Sequence, residues 1–426
     1  MSTVSRGLPA NPHIDVPKKQ ARELLRQCKA KSADALDRVR SRHPKFKTAD
    51  DDAIFTRLKL SDAQLVLASE YGFSSWTQLK ERILGDSVIQ AIGKGIRSND
   101  IVTVTQLLKA HPNLLHVPVW SGNWGPPMSH ATNMDRLDMV KAIAALGAKD
   151  FHHAFDRALL QGRIETAKWL HEQGVPLTPG IIMGCCETLN ERGFGFLDDA
   201  GAPLTDHKGD KIAPLTLVLE TYGRNPAGKH AILQRFKARG YQWPDTPMMA
   251  FHCGDLDRLK SQLQRDPELI NRRFSFSDIY PLELGGGGDL RQGMHGTPIG
   301  GTTLLHISID FDEREIFDWL LEQGANVNAA GLVDSEGFGG HTPLFNAIVS
   351  DAYTNGRQRD AYMGKRLLDL GANINIRVNL RKYLDWRDEP GWHIARNVTP
   401  LEWAAGFPER GWVSKEIVGL IESDTP

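Results

Sequence analysis

The sequence predicts an all-α fold, a solenoid of stacked helix–turn–helix units, and three observations predict it. Leu320-Leu321-Glu322-Gln323-Gly324-Ala325-Asn326-Val327-Asn328 and Leu367-Leu368-Asp369-Leu370-Gly371-Ala372-Asn373-Ile374-Asn375 carry nearly the same pattern twice. A helix end, a glycine able to turn the chain and a polar exit recur. That is the mark of units too small to bury their own apolar faces, which must stack on neighbours. Second, helix starts of one type recur at Thr303-Leu304-Leu305-His306, Thr342-Pro343-Leu344-Phe345 and Thr399-Pro400-Leu401-Glu402. Third, apolar residues at i, i+3 and i+4 spacing run through every unit, as paired amphipathic helices require.

The elements follow in order. Residues 1–85 read as a small helical domain. Ala21, Leu24, Leu25 and Cys28 form one apolar stripe, and Ser61-x-x-Gln64 and Ser75-x-x-Gln78 are candidate capping boxes. Residues 86–245 hold degenerate units. Leu137-Asp138-Met139-Val140 leads to Gly147-Ala148, and Ile164-Glu165-Thr166-Ala167 leads to Gly174. The units near Ile101 and Leu256 instead run into His111-Pro112-Asn113-Leu114-Leu115 and Asp266-Pro267-Glu268-Leu269-Ile270. Residues 246–426 hold the clearest units, separated by long inserts.

The Thr-Pro-Leu starts combined with Gly-Ala-x-[Val/Ile]-Asn exits resemble ankyrin repeats over roughly residues 86–424, in about eight or nine units. The resemblance implies that the threonine caps the first helix, the proline occupies its first turn and the glycine ends the second helix. It implies that His306 makes hydrogen bonds tying neighbouring repeats together. The stretch from Leu60 to Trp76 resembles a leader of bacterial ankyrin-repeat proteins, and it implies a capping domain that covers the first repeat.

Measured against a repeat of about 33 residues, the chain is too long between units. Thr303 to Thr342 spans 39 positions and Thr342 to Thr399 spans 57. The excess falls in residues 329–340, 351–362 and 376–398, with further inserts at 117–128 and 274–301. Loops hung on a rigid scaffold are where binding usually sits. The inserts carry Trp120, Trp124, Tyr280, Glu283, Asp289, His295, Asp385, Trp386, Trp392 and His393, an aromatic and charged set suited to recognition. These ten are the candidate binding residues.

Several chemistries are tested by spacing. Gly223-Arg224-Asn225-Pro226-Ala227-Gly228-Lys229-His230 matches GxxxxGK, but His230 stands where a phosphate loop needs Ser or Thr. It also follows an apolar helical stretch rather than a strand, so a helix–helix linker is expected. Fifteen histidines include no HExxH and no Cys/His ladder of zinc spacing, so no metal and no cofactor are expected. No GxSxG elbow occurs. Residues 18–47 hold 11 basic and 3 acidic side chains, a local charge of +8. With no aromatic interleaved before Phe46 to stack on bases, this reads as solvated helix faces rather than a site for nucleic acid or anionic lipid.

Net charge is −1, and no run approaches the ~20 apolar residues needed to cross a bilayer. The four cysteines lack CxxC spacing, as expected of reduced thiols in a cytoplasmic protein. Two functions stay open. One is an interaction protein that binds a protein partner through its concave face and inserted loops, as the resemblance implies. The other is an enzyme or small-ligand binder with a pocket walled by 274–301, 329–340 and 376–398. Convergence of His295, Asp289, Glu283, Asp385 and His393 would favour the second.

Overall fold

The computed structural model describes residues 7–8, 13–120, 122–286, 295–356, 359–384, 391–407 and 411–423. The chain forms two compact units, one within residues 1–157 and 168–175, the other within 158–167 and 176–426.

In the first unit, helices Asp15–Lys29, Ala33–Arg42, Asp51–Arg57 and Leu60–Glu70 share one core. It is built from Leu24, Cys28, Leu36, Val39, Phe46, Ile54, Val66 and Leu67. The stripe at Ala21, Leu24 and Cys28 is the buried face of the first helix, as its spacing requires. Ser75 caps the next helix by accepting from the Gln78 N–H. The Ser61 box does not form. That helix begins two residues earlier, capped at Lys59, and Asp62 instead accepts from the Lys59 N–H at 2.8 Å. Helix Trp76–Arg97 is continuous through residue 85, so the domain boundary expected there falls inside a helix. Helices Ile101–Ala110, Pro127–Asn133 and Leu137–Ala145 complete the paired pattern.

The second unit continues the pairs. Pro247–His252 packs on Leu256–Arg265, and Leu304–Asp310 packs on Arg314–Glu322 and on the following Pro343–Ile348. Each threonine start occupies the N-cap position, though the Thr342 hydroxyl makes no cap hydrogen bond. Thr399 accepts from the Glu402 N–H, and Glu402 reaches back to the Thr399 N–H at 2.8 Å. At Thr303 the returning group is His306, whose Nδ1 accepts from both the Thr303 hydroxyl (2.9 Å) and N–H (3.3 Å). This leaves Nε2–H free to donate to the His341 carbonyl at 3.1 Å, a link from one helix pair to the next. Gly324 and Gly371 take φ of +83° and +84°, the left-handed exit conformation that a side chain disfavours.

The chain is not all-α. Residues within the 376–398 insert form an antiparallel hairpin, β1 (Val378–Leu384) and β2 (Gly391–Val398), with a register shift between Val378 and Leu380. The alternation of Val378, Leu380, Lys382 and Leu384, with Tyr and Trp at facing positions, fits a pleated surface better than a loop. Among the described residues the architecture is therefore helical with one small sheet.

Candidate functional site

Two described residues of the insert at 274–301 turn inward. Tyr280 and His295, both expected at a recognition surface, are each 1% exposed. They close on a polar centre made by residues distant in the chain. His295 Nδ1 lies 2.6 Å from Asp310 Oδ2, and Arg224 Nη2 lies 3.0 Å from the same oxygen. The Tyr280 hydroxyl lies 3.0 Å from His295 Nε2. The network fixes the tautomer: Nδ1–H donates to the carboxylate, and Nε2 accepts the phenol proton. The Arg224 guanidinium also donates to the Asp310 carbonyl at 2.7 Å and the Thr221 carbonyl at 2.8 Å, with the Phe311 ring 4.9 Å away.

Burial and charge compete in this centre. Burial alone would push the Asp310 carboxyl up, but His295 and Arg224 outweigh it and hold the group below its ordinary value. Burial lowers the His295 imidazole against the pull of Asp310, so it stays neutral. Burial raises the Tyr280 phenol well above its ordinary range. An ionised Asp–Arg pair flanked by a neutral His and a neutral Tyr results. His295 is enclosed and has no open side for a substrate.

Beside it, Lys229 Nζ sits 3.2 Å from Glu313 Oε1 and 4.4 Å from the centre of the Phe311 ring. The two groups form a buried ion pair. His230 Nε2 meets the same carboxylate oxygen at 2.9 Å. The GxxxxGK stretch is thus a linker opening helix Pro226–Ala238, with Asn225 as its cap. Its lysine is turned into the protein, 2% exposed, where no phosphate reaches it.

The inserts at 329–340 and 376–398 join. Gly339 N–H donates to the Asn379 carbonyl at 2.8 Å, and Arg381 pairs with Asp334 and Glu336, each at 2.7 Å. The Arg381 guanidinium lies over Phe338 (4.7 Å) and Trp392 (5.4 Å), and Tyr383 meets Trp392 edge-on at 5.5 Å. One face of the hairpin, with Leu380, Lys382 and Leu384, is buried. The other presents Trp392 and Ile394, 50% and 54% exposed, and the joined loop adds Leu332 and Val333 at 59% and 60%. His393 lies on the inner side, 5.0 Å from the Phe407 ring and 5.6 Å from Trp403.

The remaining candidates are dispersed. Glu283 faces solvent. Asp289, Asp385 and Trp386 lie outside the described residues. In the first unit, the 117–128 insert closes through a Val119 N–H to Gly125 carbonyl bond at 3.1 Å. Trp120 is exposed with the Arg97 guanidinium 5.2 Å from its ring, while Trp124 packs 5.2 Å from His130. Three side chains of the basic stretch 18–47 pair with acids beyond it, Lys31 with Asp52, Arg38 with Glu70 and Arg40 with Asp51. Among the described residues no cluster of His, Cys, Asp or Glu is arranged to hold a metal ion. No described helix is long and apolar enough to cross a membrane.

Sequence reasoning missed Arg224, Lys229, Asp310, Glu313 and Lys382. A faint signal existed: Asp310, Asp312 and Glu313 follow directly on the apolar positions Leu304, Leu305, Ile307 and Ile309 of a helix start, and buried charges need partners.

Comparison with known proteins finds similarity to ankyrin-repeat proteins. A curated relative, "Putative ankyrin repeat protein FPV031" of Fowlpox virus (strain NVSL), is 32% identical over 113 residues, 26% of this chain. That match spans 28% of the viral protein's length. The crystal structure of the human ASB11 ankyrin repeat domain aligns with 78% of this chain and 96% of its own, at 13% identity and a TM-score of 0.20. The ankyrin repeat model itself matches residues 300–332, the segment running from the Thr303 cap through the Gly324 exit, so the similarity falls on one of the helix pairs described above.

Proposed function

We propose that the chain is an ankyrin-repeat scaffold of about nine helix pairs, closed at its start by the helices within residues 13–75. It binds a protein partner through its concave face and through the platform formed by inserts 329–340 and 376–398. The ankyrin repeat is generally a protein-interaction scaffold. The carrying observation is that Trp392, Ile394, Leu332 and Val333 stand exposed on two inserts locked together by Arg381. Large apolar and aromatic side chains beside arginine are the composition that dominates binding energy at protein interfaces. They stay presented because the hairpin's other face is anchored in the core. The four free cysteines fit a reducing, cytoplasmic setting.

The test is a paired substitution, Trp392→Ser with Ile394→Ser. Both side chains are half in water, so unfolding temperature should change little. Cross-linking and quantitative mass spectrometry of native complexes should lose the partner captured by the parent chain. An identical captured set would remove the platform from the binding surface.

A further inference from the structure

The second unit holds a polar cleft of about 750 Å³ that neither the platform nor the buried centre uses. It forms where successive inter-helix turns meet, at residues 160–162, 188–192 and 222–225, with residues 355, 356 and 359 opposite. Arg224 reaches its edge, but that guanidinium is fully engaged with Asp310 and backbone carbonyls. Two other arginines line it and are exposed, Arg192 and Arg359. Among the described residues Arg192 has no ion pair or hydrogen bond, and Arg359 only donates from Nε to the Gly356 carbonyl at 3.2 Å. Elsewhere in the same unit, Arg235, Arg258, Arg272, Arg314, Arg377 and Arg381 each meet a carboxylate. Glu191 is the single acid among the described lining residues.

Arg192 also sits at the wrong end of its helix. It occupies the first turn of Glu191–Asp199, where the helix carries partial positive charge and a cation is disfavoured. Helix Pro226–Ala238 opens at the same cleft, with its cap Asn225 in the wall. The arrangement concentrates positive potential where folding alone would dilute it.

We propose that this cleft binds a small polyanion, a molecule with two oxyanion groups taken by Arg192 and Arg359. Guanidinium forks match the spacing of carboxylate and phosphate oxygens and hold them bidentately. The cleft's volume lies within the ~300–1,000 Å³ over which small ligands bury most of their surface. This site goes beyond partner binding at the hairpin platform, and either can fail without the other.

Calorimetric titration of the full chain at low salt, with pyrophosphate in one arm and citrate in the other, tests it. One saturable site is expected, and the arm that saturates names the oxyanion. Arg359→Glu should weaken that binding by about tenfold or more, whereas Arg265→Glu, exposed and away from the cleft, should leave it unchanged. Arg192→Gln should weaken binding and, without ligand, raise the unfolding temperature, because it removes a cation from a positive helix end. Three results would overturn the proposal: no saturation in either arm, binding insensitive to both substitutions, or a lower unfolding temperature for Arg192→Gln.

Discussion

Asp310 and Arg224 are 0% and 1% exposed and 3.0 Å apart, so each offsets part of the cost of burying the other, with His295 also supporting Asp310. Removing one charge from such a pair leaves the second stranded, at a cost of about 3–5 kcal/mol. Asp310→Asn keeps the shape and should lose stability of that size in urea unfolding. Asp310→Leu combined with Arg224→Met should lose less, since no charge remains buried. A cost below ~1 kcal/mol for Asp310→Asn would mean the pair is hydrated and not a buried clasp. Histidine makes a second test at this scale. Burial lowers His341 from 6.5 to about 4, and burial with the nearby Arg97 charge does the same to His130. Between those values the unfolded chain binds protons that the folded chain refuses. Stability is therefore complete above 6.5 and declines as pH falls toward about 4. His341→Gln, which keeps a donor for the Pro298 carbonyl, should flatten that decline in urea midpoints measured from pH 7.5 to 4.5. An unchanged slope would show that His341 takes up its proton in the folded state.

At the scale of the element, the helix boundaries were legible because they are local chemistry. A threonine oxygen and a left-handed glycine act within four residues of their position, so Thr399 and Gly371 announce themselves in any context. A Cβ at Gly371 meets nothing within 4 Å, yet φ is +84°. Gly371→Ala should then cost about 1–2 kcal/mol from backbone strain alone, readable as a shifted urea midpoint without change in slope. No shift would mean the exit relaxes out of that conformation. The hairpin was not legible, for a physical reason. Lys382 interrupts the buried alternation of β1, and β2 puts Trp392 and Ile394 on the outer face with His393 inside, which inverts the apolar-in pattern that reveals a half-buried strand. The buried centre was hidden differently. Tyr280 and His295 looked like exposed loop residues because their partners, Arg224 and Asp310, lie on other elements, and those two are themselves 86 positions apart.

For the whole molecule, a plain stack of repeats contacts only its neighbours, so its stability is close to a sum of local terms and damage stays local. The second unit departs from that rule. Arg224 in one turn binds Asp310 in a later pair, the Arg224 N–H donates to the Asn355 carbonyl, and Trp412 Nε1 donates to Asp351 at 2.7 Å. These ties skip over intervening helices and couple segments that sequence distance would keep independent. Amide exchange should therefore report residues 221–230, 280–284, 295–313 and 349–356 opening together, as one cooperative unit rather than pair by pair. Asp310→Asn should speed exchange in all four segments while leaving the helices between Asp15 and Glu70 protected, because those share a core of their own. If the substitution loosens only the two helices between Leu304 and Glu322, the inserts are passengers on an ordinary solenoid. If all four segments loosen together, the inserts are what convert this stretch of repeats into a single folded body.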